Sequence, residues 1–155
     1  NESLQSLFKI VSNPQMKQKL IESGFLRDYA YENQFEFVGF IDFEANKRNY
    51  LKSKIYISIP NTDGTSVSLL EAMAFGCVPI VTAVGAIPEV LIHGEQAMLT
   101  DPMKCVDETV QFLSALLENH SEYKTLSENA YLYANEEFDS NRFNNGWRAL
   151  IQTFS

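Results

Sequence analysis

Two carboxylates lie eight residues apart in the segment PNTDGTSVSLLEAMAFG, residues 60–76. Asp63 lies in a polar run of Thr, Ser and Gly, whereas Glu71 lies among apolar residues. A helix that begins near Val67 would present unpaired backbone amides and a partial positive charge, which favour a phosphate. Gly64 would let a ligand approach the backbone closely. A carboxylate one turn inside that helix can accept two hydrogen bonds from a vicinal diol such as ribose, so the pattern is typical of a nucleotide site.

A purely structural interpretation of the same residues stays open. Asp63-Gly64 is a common turn dipeptide, and Ser68-x-x-Glu71 matches a capping box. Thr65, Ser66 or Ser68 can serve as the N-cap. If Ser66 caps the helix, Glu71 projects with Ser68 towards the loop. The capping residue therefore separates the two interpretations.

Short β-branched or aromatic runs alternate with helical patterns along the chain. The predicted strands are 7–12, 35–40, 55–59, 78–82 and 97–100. The predicted helices are 14–30, 43–53, 66–75, 86–93, a longer helical region from 106 to about 135, and about 140–153. Alternation at this spacing predicts an α/β fold, a Rossmann-like, doubly wound parallel sheet flanked by helices, in one domain over residues 1–155. In such sheets ligands bind at the carboxyl ends of the strands, which is where the loop containing Asp63 falls.

Composition excludes several classes of protein. The net charge is −8 and no Lys or Arg falls between Lys54 and Lys104, so a nucleic-acid partner is not expected. No apolar run is long enough to span a bilayer and nothing resembles a signal peptide. Cys77 and Cys105 lack metal-ligand spacing and are interpreted as buried free thiols, which predicts a cytoplasmic protein. The chain begins without Met, so we expect it to be a piece of a longer polypeptide.

Residues 63–102, DGTSVSLLEAMAFGCVPIVTAVGAIPEVLIHGEQAMLTDP, carry a more specific pattern. This segment resembles the C-terminal, donor-binding domain of retaining family-4 glycosyltransferases of the GT-B fold. The signature of that family is Glu-x7-Glu, then Ala-Met-Ala-x-Gly-x-Pro-Val, then Gly-Gly-x-x-Glu and Gly-x-x-Gly. The resemblance extends over nearly the whole chain and implies the C-terminal half of a GT-B fold that lacks its first βα unit.

The resemblance also implies roles for individual residues. Glu71 matches the acid that holds the ribose hydroxyls, and Asp63 matches the acid that contacts the transferred sugar. Backbone amides between the two acids meet the sugar and the diphosphate, and the residues concerned are Gly64, Thr65, Ser66, Val67 and Ser68. The segment expected to border the nucleobase consists of Val38, Gly39 and Phe40. Ala86 and Glu89 lie in the loop GAIPE, which is expected near the donor.

The chain departs from the family pattern at several points. Asp63 replaces Glu and shortens the reach by one methylene. Ala86 replaces the second Gly of a pair, so a positive φ is not expected there. Family members carry an Arg and a Lys in the first βα unit that neutralise the diphosphate, and we expect this basic catalytic pair upstream of residue 1. No Asp-x-Asp motif is present, and no metal or other cofactor is expected.

The function implied is binding of a nucleotide-diphospho-sugar, such as a UDP- or GDP-sugar, for retaining transfer of a hexose. The acceptor is expected to be a glycan or a lipid-linked molecule held by an absent N-terminal domain, in assembly of a capsule or lipopolysaccharide. Peripheral membrane association of the full-length protein is compatible with this setting, and the fragment alone is expected to be inactive. The alternatives are a sugar-nucleotide epimerase of GT-B architecture and a non-catalytic nucleotide-sugar-binding or regulatory module.

Three further residues have candidate roles. His93, near the end of the helix predicted at 86–93, is interpreted as structural, and His120 as solvated. Trp147 is expected either to pack within the chain or, by the resemblance, to lie on a last helix that crosses to the other domain.

Overall fold

The computed structural model describes residues 8–10, 14–24 and 35–154. The chain divides into two compact units, Asn1–Asn49 and Tyr50–Ser155. The interpretation of residues 1–155 as one domain stays a prediction. Residues 7, 11 and 12 of the first predicted strand and residues 25–30 of the first predicted helix lie outside the described residues.

The first unit contains a two-stranded parallel sheet and a helix between its strands. Strand β1 (Phe8–Ile10) pairs with strand β2 (Phe35–Phe37), and helix α1 (Pro14–Glu22) lies between them in sequence. Helix α2 (Phe43–Tyr50) begins in this unit, where the Asp42 carboxylate accepts a hydrogen bond from the Ala45 amide at 2.8 Å. Its last residue, Tyr50, belongs to the second unit.

The second unit is built on a three-stranded parallel sheet. Its strands are β3 (Ile55–Ser58), β4 (Val78–Thr82) and β5 (Met98–Thr100), in the order β3-β4-β5. The central strand β4 is buried throughout, as its nearly continuous apolar sequence predicts for a strand covered on both faces. The α/β fold with a parallel sheet is thus confirmed for this unit.

Five helices belong to the second unit. They are α3 (Val67–Ala74), α4 (Ile87–Val90), α5 (Cys105–Glu118), α6 (His120–Glu137) and α7 (Ser140–Gln152). Successive residues of β4 point to opposite faces of the sheet and enter different apolar clusters. Val81 packs with Leu69 and Met73 of α3, whereas Ile80 packs in a cluster that contains Leu116 of α5. Helices therefore cover both faces of the sheet.

Several predicted elements end earlier in the structure: helix α1 ends at Glu22, strand β2 at Phe37 and helix α2 at Tyr50. Two further predicted helices differ in other ways. The region predicted as helical from 106 to about 135 is interrupted at Asn119, whose backbone is not helical (φ −105°, ψ 84°). The Asn119 side chain accepts a hydrogen bond from the Glu122 amide at 3.2 Å and so caps a new helix, α6. The helix predicted at 86–93 covers only Ile87–Val90, because Leu91 turns to extended backbone.

The two cysteines have different surroundings. Cys77 is fully buried, and burial raises the pKa of its thiol to about 11. Cys105 is half-buried at the start of α5. Both are free thiols, as predicted, although only Cys77 is buried. Within the described residues, no helix combines the length and the apolar character that crossing a bilayer requires.

Candidate functional site

The candidate site lies where β3 and β4 lead into two loops, residues 59–66 and residues 83–86. The strands are parallel neighbours with Ser58 opposite Val81, so both loops leave the same edge of the sheet. The loops meet at Gly85, whose φ of +55° lies in the left-handed region. A Cβ atom at Gly85 would lie 1.7 Å from the carbonyl oxygen of Asp63. This close approach requires glycine and fixes the backbone of Asp63 against the second loop.

Ser66 is the N-cap of helix α3, and this decides among the three possible caps. Ser66 has extended backbone, with φ −69° and ψ 143°, and its hydroxyl accepts a hydrogen bond from the Leu69 amide at 3.3 Å. Ser68 is thus the second residue of the helix and Glu71 lies inside it. The capping-box interpretation of Ser68 and Glu71 is therefore wrong, because the helix starts before Ser68 could cap it.

The backbone that leads into α3 offers several amides to a ligand. Among the described residues, no group accepts a hydrogen bond from the amides of residues 64–68. Val67 is 70% exposed, and a Cβ atom at Gly64 would meet no atom within 4 Å. Five consecutive donors at a helix start, with open space beside Gly64, are chemically suited to an anion.

Glu71 is half-buried and its side chain is held from outside its own helix. Its Oε2 atom accepts a hydrogen bond from the hydroxyl of Tyr50 at 3.3 Å, and no other described group donates to the carboxylate. Tyr50 is buried, and its ring stacks on Phe75 with a centroid distance of 6.0 Å. The second oxygen of Glu71 therefore remains available as an acceptor.

One hydroxyl, that of Ser68, lies on the same helix as Glu71, and two further hydroxyls lie next to Ser68. Ser68 is three residues before Glu71, so the two side chains occupy neighbouring positions on one face. The Oγ atom of Ser68 lies 2.9 Å from the hydroxyl oxygen of Tyr56, a residue of β3. It also lies 3.4 Å from the Oγ atom of Ser66. The start of α3 thus presents hydroxyls, free amides and one carboxylate.

The family of the chain follows from its sequence as a whole. Residues 9–133 match the family described as glycosyl transferases group 1, which is more than half of the chain and includes both loops and helix α3. The chain belongs to the group 1 glycosyl transferases. No curated protein matches it in sequence.

Three solved structures illustrate what this glycosyltransferase domain is similar to. The C-terminal domain of the group 1 family protein LpcC from Francisella tularensis has a TM-score of 0.71 and 23% identity, and the match covers 82% of this chain and 64% of that one. HepE from Anabaena, in complex with UDP-glucose, has a TM-score of 0.79 and 18% identity, with coverage of 94% and 40%. Sucrose-phosphate synthase from Thermosynechococcus elongatus has a TM-score of 0.70 and 22% identity, with coverage of 94% and 38%.

These similarities define the fold and the extent of the match. The domain has the α/β architecture of the C-terminal domains of GT-B glycosyltransferases, as the sequence predicted. It spans 64% of the LpcC chain and about two fifths of the HepE chain.

The remaining predicted site residues of the glycosyltransferase domain lie in different places. Asp63 is half-buried in its loop, and its side chain bonds to no described group. Val38, Gly39 and Phe40 follow β2 in the first unit, where Phe40 is 79% exposed. Ala86 has φ −83°, so its replacement of a family glycine costs no backbone strain. The roles of all these residues stay predictions.

The histidines and Trp147 can also be located. The Nδ1 atom of His93 accepts a hydrogen bond from the Leu99 amide at 3.0 Å, and the ring packs against Phe112, which confirms a structural role. His93 lies beyond the end of α4, whose last residue is Val90. His120 is exposed, as predicted.

Trp147 is 53% exposed and contacts Phe143 edge-on within helix α7, which has no buried residue. A groove of about 670 Å³ lies along this helix, and none of the residues that line it belongs to the two loops of the candidate site. Its lining is Glu137, Phe138, Ser140, Arg142, Phe143, Gly146, Trp147 and Leu150. The two charged side chains of the groove form an ion pair with each other at 2.7 Å, so the groove offers little chemistry.

Tyr50, Tyr56 and Gly85 are the site residues that sequence reasoning missed. Tyr50 is 21 residues from Glu71 and Tyr56 is 12 residues from Ser68, so no local pattern connects them. Of these three residues, only Gly85 could have been found from the sequence, because it is the first residue of the loop GAIPE, which was expected near the donor.

Proposed function

We propose that this domain binds the nucleotide-diphospho-sugar donor of a glycosyltransferase at the carboxyl ends of β3 and β4. The observation that carries the proposal is the run of five amides at residues 64–68 that donate to no described group, followed on the same helix by Glu71. A diphosphate needs several donors, and a ribose diol needs an acceptor nearby. The family membership supports sugar transfer as the reaction, and the HepE structures with UDP and UDP-glucose support a uridine diphosphate donor.

Each residue has a role in this proposal. Glu71 accepts hydrogen bonds from the two ribose hydroxyls, and the amides of residues 64–68 bind the diphosphate. Asp63 orients the sugar that is transferred. The segment 38–40 borders the nucleobase.

The proposed reaction is retaining transfer of a hexose. Catalysis consists mainly of electrostatic stabilisation of the departing diphosphate by the amides, which act at the point where negative charge develops. Helix-end amides supply only partial charges. Since no Lys or Arg lies between Lys54 and Lys104, we propose that a basic pair upstream of residue 1 supplies the remaining positive charge. The proposal includes no metal ion, and no cluster of three or more metal-ligating side chains occurs among the described residues.

The acceptor is proposed to be a glycan or a lipid-linked molecule bound by another domain. The chain spans about two fifths of the HepE chain, and we propose that complete transfer also needs the domain that binds the acceptor. The proposed setting is polysaccharide assembly in the cytoplasm, with peripheral contact to a membrane through the full-length protein.

The test is a titration of the 155-residue chain with UDP-glucose, GDP-mannose and ADP-glucose, followed by ¹H–¹⁵N NMR. One of the three ligands should shift the amide resonances of residues 38–40 and 63–71. Glu71→Ala should weaken that binding by at least about tenfold, since it removes a charged acceptor of two hydrogen bonds.

The matched control is Glu128→Ala, which removes an exposed carboxylate on α6 and should leave the affinity unchanged. Equal binding by Glu71→Ala and the wild-type chain would refute the ribose role. Shifts that cluster elsewhere would refute the site itself.

A further inference from the structure

Tyr50 is the residue outside α3 that holds the side chain of Glu71. Its hydroxyl donates to Glu71 Oε2 at 3.3 Å, and the tyrosine side chain is itself only 7% exposed. This distance is longer than the roughly 2.5–3.0 Å usual for an O–H···O bond, so Tyr50 supplies a weak contact that favours one orientation of the carboxylate. A tyrosine hydroxyl occupies one oxygen and leaves the other for a ligand.

The position of the Tyr50 hydroxyl is fixed by packing. The ring lies nearly parallel to that of Phe75, at an interplanar angle of 16°, and belongs to a buried cluster with Ala72 and Cys77. The backbone carbonyl oxygen of Tyr50 accepts hydrogen bonds from the Ser53 amide at 3.0 Å and from the Cys77 thiol at 3.5 Å. Tyr50 therefore has little freedom to move, and its hydroxyl is a fixed reference point for Glu71.

We propose that Tyr50 is a positioning residue of the donor site, which selects the orientation of Glu71 that receives the ribose diol. A free Glu side chain has three rotatable bonds, and ordering it when ligand binds costs free energy. Among the described residues, no Lys or Arg forms an ion pair with Glu71 that would orient the carboxylate by charge. A neutral donor from the core does this instead. The inference rests on the proposed function.

The test measures whether Tyr50→Phe changes recognition of the ribose diol in particular. UDP and its 2′,3′-dideoxy analogue are titrated into the wild-type chain and into Tyr50→Phe by calorimetry. The wild-type chain should bind UDP about tenfold more tightly than the analogue. Tyr50→Phe should weaken UDP binding about three- to tenfold, the range expected when one more flexible side chain must be ordered on binding, and should leave binding of the analogue unchanged.

Tyr133→Phe is the matched control. The Tyr133 hydroxyl donates a hydrogen bond to the carbonyl oxygen of Val90. This variant therefore also loses a partly buried hydrogen bond of a tyrosine hydroxyl, but one that does not involve Glu71. It should bind both ligands as the wild-type chain does. Phe75→Leu removes the ring on which Tyr50 stacks and should give a smaller, about two- to threefold, loss for UDP alone, which tests the same inference if Tyr50→Phe does not fold.

The outcomes separate this inference from the proposed function. Unchanged UDP affinity in Tyr50→Phe, with loss in Glu71→Ala, would overturn the role of Tyr50 and leave the donor site intact. An equal loss of affinity for both ligands in Tyr50→Phe would also overturn the role of Tyr50. Such a loss would come from a general loosening of the fold, which weakens binding whether or not the ligand has the ribose diol. If the wild-type chain binds neither ligand, or binds both equally, the proposed ribose site and the role of Tyr50 fall together.

Discussion

Helix α3 and helix α7 each begin at a residue whose side chain caps the helix, and both carry large apolar side chains, yet only α3 is buried. Leu69, Ala72 and Met73 of α3 are almost fully inaccessible, whereas α7 has no buried residue. The capping hydrogen bond of α7 is the shorter of the two. The Asp139 carboxylate accepts it from the Asn141 amide at 2.8 Å, whereas the Ser66 hydroxyl accepts from the Leu69 amide at 3.3 Å. Local signals thus start a helix, but they do not decide whether it stabilises the fold.

This difference matters for the candidate site. Glu71 lies on the buried helix, so packing fixes the position of its backbone to the accuracy that a binding site requires. The aromatic side chains of α7 are exposed on a helix that no core residue anchors. A comparison of matched substitutions in the two helices would test this account.

The largest difference is expected between Leu69→Ala and Leu150→Ala. Leu69 is 1% exposed and Leu150 is 48% exposed. The first substitution leaves a cavity between α3 and the sheet and should lower the free energy of unfolding by about 3 to 5 kcal/mol. The second should lower it by about 0.5 kcal/mol or less. Urea denaturation followed by circular dichroism measures both, and equal losses would mean that the apolar face of α7 is covered in solution.

A smaller difference is expected between Gly85→Ala and Gly94→Ala. Both glycines have positive φ, +55° and +79°, so each substitution should cost about 1 kcal/mol of backbone strain. Only at Gly85 would the new Cβ meet backbone, at the carbonyl oxygen of Asp63, whereas at Gly94 no atom lies within 4 Å. Gly85→Ala should therefore destabilise the protein by about 2 to 3 kcal/mol in all. Similar melting temperatures for the two variants would show that the loop before α3 is free to move away.

The smallest difference is expected between the two caps, Ser66→Ala and Asp139→Ala. Loss of the Ser66 cap should lower the free energy of unfolding by about 1 kcal/mol, because α3 unfolds only with the core. Loss of the Asp139 cap should change it by about 0.3 kcal/mol or less and mainly accelerate hydrogen exchange of the Asn141 and Arg142 amides, since α7 can fray by itself. A larger global loss for Asp139→Ala would contradict the comparison of the two helices.

Much of the fold was predictable because local patterns coincide with it. The buried strand at 78–82 was predicted with its observed bounds, and the helix predicted at 66–75 is observed as Val67–Ala74. The interruption at Asn119 also had a local signal, since Asn-x-x-Glu is a capping pattern and Asn119 caps α6 through the Glu122 amide. The residues on both sides of Asn119 are typical of helices, so the sequence was interpreted as one continuous helical region in spite of this capping pattern.

The sequence by itself determined the order of strands and helices, the polar loop before α3 and the presence of Asp63 and Glu71 at the carboxyl edge of a parallel sheet. These follow from side-chain periodicity and turn chemistry, which act over a few residues. The tertiary structure alone decided that Ser66 caps α3, that Tyr50 reaches Glu71, that Gly85 abuts Asp63 and that α7 remains exposed. Most of these are contacts between segments far apart in the chain, and their formation depends on how the helices pack against the sheet.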